Sequence, residues 1–317
     1  MGIGLYTKKE MKKGEKFSSL PFLSSSLIDQ QHICDYCLQI LENRNEKINC
    51  RNCFTHFYCS KNCEKKSWEN FHFLQCNKNY SKTKKKIKKN LKFSVSSDCN
   101  RIFMIDKLAA MTIKNLKEKK TTKTFVDNLS SFNFPFHFSF YWHCYQLTKS
   151  LISTYIPSTF LNIFDFNWFC TQNSVISKNG FSIKMEIKSL KFPKKKKNKN
   201  KVKKIEKIPF LFDNSFPNEI ESNSDHFGAS LNEGTHLYFL HSYLNHSCQP
   251  NLKFSFTEKP KEIVFEASEN IERDQQLFIS YVPTKYLSSK EQRDHHLLMH
   301  GICDCCCEKC KKEEQKN

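Results

Sequence analysis

The order of apolar and polar residues predicts short β-strands at several places along the chain. Apolar and polar residues alternate at 261–267 and again at 276–281, which is typical of half-buried strands. Residues 1–33 also contain short apolar stretches, and the Lys12-Lys13-Gly14-Glu15 segment between them has turn chemistry. Residues 180–183 favour one more strand. We therefore expect several small strands rather than one long sheet.

Other parts of the chain predict helices. Residues 100–170 are apolar with helix-like spacing, for example at 102–111, and become rich in aromatic residues at 132–145. A further helix is predicted at 286–300. No run of 18 apolar residues occurs, and no apolar core of a signal peptide follows Met1. We expect no membrane segment.

Two lysine-rich segments account for most of the formal net charge of +19. Residues 78–92 hold eight lysines, and residues 191–207 hold ten lysines with one acid. We predict a solvated helix or linker at 77–97 and a disordered insertion at 188–230. Clustered lysines attract phosphates, so non-specific nucleic-acid binding through these runs is one hypothesis. Neither run contains arginine, which speaks against specific recognition.

The spacing of the 16 cysteines indicates zinc sites. Most of them fall in short Cys-x-x-Cys-like pairs with histidine among them, which in an intracellular chain favours metal over disulfides. Eight candidate ligands form four consecutive pairs between residues 34 and 76. Such pairs usually interleave, the first with the third and the second with the fourth. The predicted sites are Cys34, Cys37, Cys59 and Cys63 for one ion and Cys50, Cys53, His72 and Cys76 for the other.

The alternative is that some of these cysteines are small buried apolar residues. Four pairs at ligand spacing rarely coincide by chance, so we favour zinc. Neither His32 nor His56 is predicted to be a ligand. A segment this short has little apolar material, so we expect the metal to supply its folding energy.

The same segment resembles a MYND zinc finger. The matching residues are Cys34-Asp-Tyr-Cys37, Tyr58-Cys59-Ser60-Lys61-Asn62-Cys63, Trp68, His72 and Cys76. One extra residue separates Trp68 from His72. MYND fingers mainly bind proteins, so the resemblance implies protein or peptide ligands.

A second set of motifs resembles the signatures of SET-domain methyltransferases. The set is Asn245-His246-Ser247-Cys248-Gln249-Pro250-Asn251, then Ile279-Ser280-Tyr281, then a cysteine-rich tail. Asn179-Gly-Phe-Ser-Ile183 is similar to a strand of that fold, and the start at Gly2 and Gly4 is similar to its first strand. A SET domain divided by a MYND finger is the arrangement of the SMYD family.

The resemblance implies roles for individual residues. Tyr281 corresponds to the tyrosine that forms a wall of the lysine channel and acts near the reacting centre. Contacts to S-adenosylmethionine are implied for Gly2, Gly4, Asn179, Asn245 and His246, the last partly through its backbone. The implied activity is methyl transfer to a protein lysine, on a histone or a non-histone substrate.

The tail predicts a third zinc ion. Zinc takes four ligands, and the family supplies the fourth from the cysteine of Asn-His-Ser-Cys, here Cys248. Cys305, Cys307 and Cys310 have the spacing of the other three. Cys303 with Cys305 is the alternative register, and Cys306 is predicted to be a bystander.

The expected fold is α+β, a SET β-fold of small sheets. The predicted units are the first part of the SET domain (1–33), the MYND finger (34–76), a basic linker and helical insertion (77–170), the SET core with its lysine-rich insert (171–302) and the post-SET zinc tail (303–317). The sequence departs from the family at two places. The turn at 273–276 lacks the usual Gly-Glu-Glu, so a looser hairpin is expected. Gly301-Ile302 replaces an aromatic pair. We expect no helical C-terminal domain after the tail.

Three functions compete at this point. The chain is either a SET enzyme, or an adaptor that binds partners through the finger and has a weak SET domain, or a nucleic-acid-binding protein. Asn245, His246 and Tyr281 are all present, which favours the enzyme. Lysine runs resemble nuclear import signals, so the nucleus, the cytoplasm or both are expected locations.

Overall fold

A computed structural model describes most of the chain. The described residues are 4–28, 30–41, 47–91, 99–119, 121–124, 127, 129, 138–184, 233–257, 262–283, 286–298 and 300–315. Gly2 and the predicted insertion at 188–230 lie outside them.

Small sheets dominate the described β-structure, as the sequence predicts. The strands are β1 (Lys16–Ser19), β2 (Pro21–Ser26), β3 (Ile48–Asn49), β4 (Phe57–Tyr58), β5 (Gly180–Lys184), β6 (Glu233–Tyr238), β7 (Asn245–His246), β8 (Leu252–Phe256), β9 (Ile263–Ala267) and β10 (Phe278–Ile279). Within the described residues the sheet orders are β1-β9-β8, β2-β6-β5, β10-β7 and β3-β4, and of these strand pairs only β10-β7 is parallel. β1 pairs with β9, and β2 shares a sheet with β5 and β6. The described residues between β2 and β5 are therefore an insertion into one folded unit.

Helices form most of that insertion. They are α1 (Lys61–Ser67), α2 (Phe73–Gln75), α3 (Lys78–Leu91), α4 (Cys99–Lys119), α5 (Phe138–Ile152) and α6 (Phe166–Asn179), followed near the end of the chain by α7 (Lys290–Leu298) and α8 (Glu308–Glu314). A π-helical segment, Trp68–His72, joins α1 to α2, and 3-10 helices lie at Gln30–His32, Ser158–Ile163 and His241–Tyr243. The mixed α+β class predicted from the sequence is confirmed.

Helix α3 carries the first lysine run but is not wholly solvated. Its buried residues Tyr80, Lys84, Ile87 and Leu91 recur at spacings of three and four, so they share one face. Tyr80, Ile87 and Leu91 belong to the same apolar core as residues of α4. The helix is as predicted, but one of its faces is packed rather than exposed.

The finger also shares this core. Tyr58 and Phe71 are almost fully buried and cluster with Leu108 of α4 and other helical residues. A second core lies between the sheets, around Leu252, Phe265 and Ile279. The apolar side chains of the finger thus also pack against the insertion, and the prediction that metal supplies its folding energy stays a prediction.

The turn at 273–276 is closed rather than loose. The backbone N–H of Asp274 donates to the Thr7 carbonyl (2.9 Å), and that of Leu277 donates to the Leu5 carbonyl (2.8 Å). Asp274 adopts a positive φ of 60°. Backbone hydrogen bonds to Leu5 and Thr7 thus hold Asp274 in a conformation that glycine would adopt without steric cost.

Replacing Asp274 by Gly should therefore raise the free energy of unfolding. Left-handed backbone at a non-glycine residue costs about 1–3 kcal/mol, and the greater freedom of an unfolded glycine offsets part of the gain. We expect a net stabilisation of about 1 kcal/mol in urea denaturation. The matched change Glu272→Gly, at an exposed neighbour without positive φ, should destabilise the protein. A loss of stability in Asp274→Gly would contradict the view that the positive φ of Asp274 costs free energy.

Candidate active site and metal centres

The first predicted finger site is assembled in space. The Sγ atoms of Cys34, Cys37, Cys59 and Cys63 all lie within 4.8 Å of one another. The Sγ–Sγ distances are 3.6 Å for Cys37–Cys59, 3.6 Å for Cys59–Cys63 and 3.8 Å for Cys37–Cys63. Four thiolates at about 2.3 Å from a tetrahedral zinc would lie about 3.8 Å apart. This donor set fits a zinc ion.

The second finger site brings together the four residues of the other interleaved pair. Cys50 Sγ lies 3.6 Å from Cys76 Sγ, and Cys53 Sγ lies 3.6 Å from His72 Nε2. These four ligand atoms also lie within 4.8 Å of one another. The extra residue before His72 is accommodated by the π-helical segment in which His72 lies.

His56 supports this site without being one of the four grouped residues. Its Nε2 lies 3.3 Å from Lys84 Nζ, which can only donate, so Nδ1 carries the proton and points at Cys53 Sγ over 3.5 Å. Burial lowers the pKa of His56 and keeps the ring neutral. A hydrogen bond of this kind orients a metal ligand. His56 is a lone histidine and Lys84 is one lysine of a long run. No spacing in the sequence therefore predicts that these two residues lie together.

The third group lies at the end of the chain. Cys248 Sγ lies 3.8 Å from Cys305 Sγ and 3.6 Å from Cys310 Sγ, and Cys307 completes a set within 4.8 Å. Cys303 and Cys306 are exposed and lie outside the group. The structure therefore brings together the register Cys305, Cys307, Cys310 rather than the alternative that begins at Cys303.

Tyr281 is held at the junction of β7 and β10. Pairing of these strands sets Phe278 opposite Asn245 and Ile279 opposite His246. The Tyr281 hydroxyl donates to the Leu244 carbonyl over 2.6 Å. Burial raises the pKa of Tyr281 to about 12, so the phenol keeps its proton at neutral pH.

His246 connects this tyrosine to the tail. Its Nδ1 accepts from the Tyr281 backbone N–H (3.0 Å), so the ring proton lies on Nε2, 3.2 Å from Cys248 Sγ. Both ring nitrogens of His246 therefore have partners within the protein. Contact of a cofactor with the His246 backbone stays a prediction.

Asn251 is a site residue that the sequence reasoning did not assign. Its buried amide accepts from the Phe278 N–H (2.8 Å) and donates to the Gln276 carbonyl (2.9 Å). It thereby fixes the strand that leads into Tyr281. The only signal for it was its place at the end of the Asn-His-Ser-Cys-Gln-Pro-Asn motif.

The predicted cofactor residues are divided between two neighbouring places. A Cβ at Gly4 would lie 2.2 Å from Gln276 Nε2 and 3.1 Å from Asn245 Nδ2, so glycine permits the close approach. Asn179 ends α6, where its buried amide donates to the Val175 carbonyl (2.9 Å).

A cavity of about 130 Å³ adjoins Tyr281. Its lining is mostly aromatic and polar: Lys178, Asn179, Gly180, Phe181, His241, Phe254, Ser280, Tyr281 and His300. Of the predicted cofactor and catalytic residues, Asn179 and Tyr281 line it. Phe181 comes from the strand that matches Asn-x-Phe-Ser-Ile, so two separate SET-like motifs converge on this space.

A larger cavity of about 360 Å³ lies on the finger. Tyr36, Asn62 and Lys66 line it together with Leu20 of the SET part. Three thiols of the first metal group, those of Cys37, Cys59 and Cys63, also line the cavity, so it adjoins that group directly.

Comparison with known proteins identifies the family. The model of the SET domain matches residues 2–282. A SET and MYND domain-containing protein of Dictyostelium discoideum is 24% identical over 317 aligned residues, covering 99% of this chain and 50% of that protein. Shorter matches are the histone-lysine N-methyltransferase SET5 of Candida glabrata, 31% identical over 109 residues (32% of this chain, 21% of that protein), and the protein-lysine N-trimethyltransferase SMYD5 of Gallus gallus, 36% identical over 94 residues (29% and 22%).

The chain therefore belongs to the SET-domain family. Along almost its whole length it is similar to a protein that combines SET and MYND domains, which agrees with the resemblance seen in the motifs. It spans half or less of the length of these curated relatives. Among the described helices, none is both long and apolar enough to cross a lipid bilayer.

Proposed function

We propose that the protein is an S-adenosylmethionine-dependent protein-lysine N-methyltransferase acting on a histone or non-histone substrate. The observation that carries this proposal is the cavity beside Tyr281, where a strand following α6 and the β7–β10 junction supply aromatic walls. Membership of the SET-domain family supports it independently.

A lysine nucleophile must lose its proton before it can react. At a pKa of about 10.4 only a small fraction of free lysine is neutral at pH 7. Phe181, Phe254 and Tyr281 surround the cavity with rings, and burial among them disfavours an ammonium ion and lowers its pKa. Bound S-adenosylmethionine supplies the electrophilic methyl group. The protein itself must exclude water from the amine and align it with that methyl group.

Named residues are proposed to hold the cofactor. Gly4 leaves room beside the Asn245 amide. Asn179 lines the cavity beside Tyr281, and the His246 backbone pairs with Ile279 of β10, two residues before that tyrosine. Gly2 is proposed for the same role from the motif. Tyr281 is proposed as the catalytic residue, with its ring as channel wall and its hydroxyl fixed by Leu244.

A cofactor-binding measurement and a methyl-transfer assay with labelled S-adenosylmethionine test this proposal. Purified protein should bind S-adenosylhomocysteine in calorimetry and transfer label from S-adenosylmethionine to a small set of proteins in a cell lysate. Binding without transfer would favour the adaptor function instead. Absence of binding would contradict the enzyme altogether.

The finger is proposed to bind a protein or peptide. The cavity lined by Tyr36, Asn62 and Lys66 supports this, since its mixed lining suits a peptide. Non-specific contact of the lysine runs with nucleic acid is a weaker proposal, because part of the first run is buried. We also propose residence in the nucleus, the cytoplasm or both.

Three zinc ions per chain are proposed, and their number can be measured. Metal analysis should give about three zincs, because three groups of four ligands are present in the described residues. Cys248→Ser should reduce the value to about two. Cys303→Ser, at an exposed neighbour outside the group, should leave it at three. Loss of zinc in Cys303→Ser but not in Cys248→Ser would overturn the tail site.

A further inference from the structure

Helix α3 carries lysines on one side and core residues on the other. Its buried residues, from Tyr80 to Leu91, form one stripe along the helix. Its exposed residues are all lysine or asparagine: Lys78, Asn79, Lys82, Lys85, Lys86, Lys89 and Asn90. At 3.6 residues per turn the five exposed lysines fall within an arc of about 100°, opposite the buried stripe. We call these five lysines the lysine face.

Buried contacts hold the lysine face in a fixed orientation. Lys84 Nζ lies 3.3 Å from Asp35 Oδ1, and the Tyr80 hydroxyl donates to Asp106 Oδ2 over 2.7 Å. Ile87 belongs to the apolar core that α3 shares with α4. Rotation of α3 would break these contacts. The lysine face is therefore presented by a packed helix and not by a solvated run.

The charge of the lysine face has no counterpart nearby. Within the part of the chain that the structure describes, none of its five lysines forms an ion pair with an acidic side chain. Lys78 and Lys82, Lys82 and Lys86, and Lys85 and Lys89 are each four residues apart, where like charges on a helix repel one another. An anion bound to this face would relieve that repulsion.

The composition of the exposed side decides which polyanion fits it. Lysine and asparagine are its only residues, so it has no apolar, aromatic or arginine side chain. Binding to a lipid surface needs an apolar helix face, and here that face is packed in the core. Protein interfaces centre on aromatic and arginine residues, and single-stranded nucleic acid needs aromatic rings for base stacking. The phosphate oxygens of a duplex need only donors such as lysine and asparagine.

We propose that the lysine face binds the phosphate backbone of double-stranded nucleic acid without regard to base sequence. At 1.5 Å per residue, Lys78 and Lys89 are about 16 Å apart along the helix axis. Over that length a duplex presents about five phosphates on each strand, enough for every lysine of the face. This inference rests on the non-specific nucleic-acid contact proposed above, to which it assigns a surface, and it does not depend on methyl transfer.

Binding of a DNA duplex two helical turns long, measured at several salt concentrations, tests this surface. In the full-length protein the five lysines of the face are replaced by glutamine, which favours a helix about as well as lysine, so the fold should be retained. Each phosphate contact contributes about 0.9 to the slope of log K against log salt. The slope should therefore be less steep than that of wild type by about 4, and duplexes of unrelated sequence should give the same change.

A charge-matched variant is the control. It replaces five exposed lysines of other segments by glutamine, namely Lys8, Lys12, Lys13, Lys117 and Lys123. The control should keep the wild-type slope although its net charge falls equally. The lysines at 191–207 are present in all three proteins, so their contribution cancels. An equal change of slope in both variants, or none in the lysine-face variant, would overturn the proposal.

Thermal unfolding checks that the lysine-face variant is folded. Its melting temperature should not fall below that of wild type, because the substitutions remove repulsion and touch no buried side chain. If it does fall, the double variant Lys82→Gln/Lys86→Gln decides instead, with an expected change of slope of about 2.

Other polyanions test the choice of ligand. Polyglutamate, single-stranded DNA and vesicles of phosphatidylcholine with phosphatidylserine are titrated under the same conditions. Any of them that binds more tightly than the duplex, and loses that binding in the lysine-face variant, would overturn the assignment to double-stranded nucleic acid. Methyl transfer with an unchanged slope would remove this inference alone. A changed slope without methyl transfer would remove the proposed enzyme and leave the surface in place.

Discussion

Replacing Tyr281 by Phe should lower the rate of methyl transfer by about 100-fold or more, as removal of a preorganised polar group at a reacting centre commonly does. The phenylalanine keeps the aromatic wall but loses the hydroxyl that donates to Leu244 over 2.6 Å. Binding of S-adenosylhomocysteine should change little, because its proposed contacts come from Gly4, Asn179 and Asn245. An interaction made mainly in the transition state lowers turnover without an equal loss of ground-state binding.

Two variants make this result specific. Asn245→Ala should show the opposite pattern, with weaker cofactor binding in calorimetry. Tyr286→Phe, at a tyrosine that stacks on His296 outside the cavity, should transfer at nearly the wild-type rate. If Tyr281→Phe is as active as wild type, Tyr281 is only a structural residue of the junction, and the adaptor function gains support.

Replacing Asp35 by Asn should destabilise the zinc-loaded protein by about 3–5 kcal/mol, the usual effect of removing one partner from a buried ion pair. Asp35 lies between the ligands Cys34 and Cys37, and its carboxylate is 3.3 Å from Lys84 Nζ and 3.4 Å from Lys107 Nζ. All three side chains are at most 6% exposed. The substitution would leave two buried ammonium groups without their carboxylate.

The destabilisation caused by Asp35→Asn should depend on pH only under acidic conditions. Burial alone would raise the pKa of Asp35, but Lys107 and Lys84 hold it well below the usual range. A depressed pKa contributes stability that is complete above about pH 4 and is lost only as the pH falls through the folded-state value. The difference in the free energy of unfolding between wild type and Asp35→Asn, measured by urea denaturation, should thus be the same at pH 7 and pH 6.

An exposed ion pair is the control for Asp35. Glu69 lies 3.9 Å from Lys65 with both side chains exposed, so Glu69→Gln should cost less than about 1 kcal/mol. If Asp35→Asn costs no more than Glu69→Gln, the buried charges do not hold the finger to helix α4.

Local patterns were enough to predict much of this fold. Ligand pairs such as Cys34 with Cys37 are set by a single turn, and strand alternation around Phe265 reflects one buried face, so both are visible in a few consecutive residues. The same holds for the strand at Gly180, which follows directly from helix α6.

The remaining features depend on contacts between distant segments. Lys84 is one lysine among eight in its run, and nothing local shows that it alone meets Asp35 and His56. Asn251 and His241 acquire their surroundings from strands far away in the chain. The buried face of α3 was present in the spacing of its apolar residues, but the charge of the segment concealed it.

The most direct test of the central claim is the chemical identity of the methylated residue. Proteins labelled from S-adenosylmethionine by the purified enzyme are hydrolysed in acid, and the label is separated by amino-acid chromatography. The label should elute with Nε-methylated lysines and be nearly absent when Tyr281→Phe replaces the wild type. Label in another amino acid, or no label although S-adenosylhomocysteine binds, would contradict a protein-lysine methyltransferase.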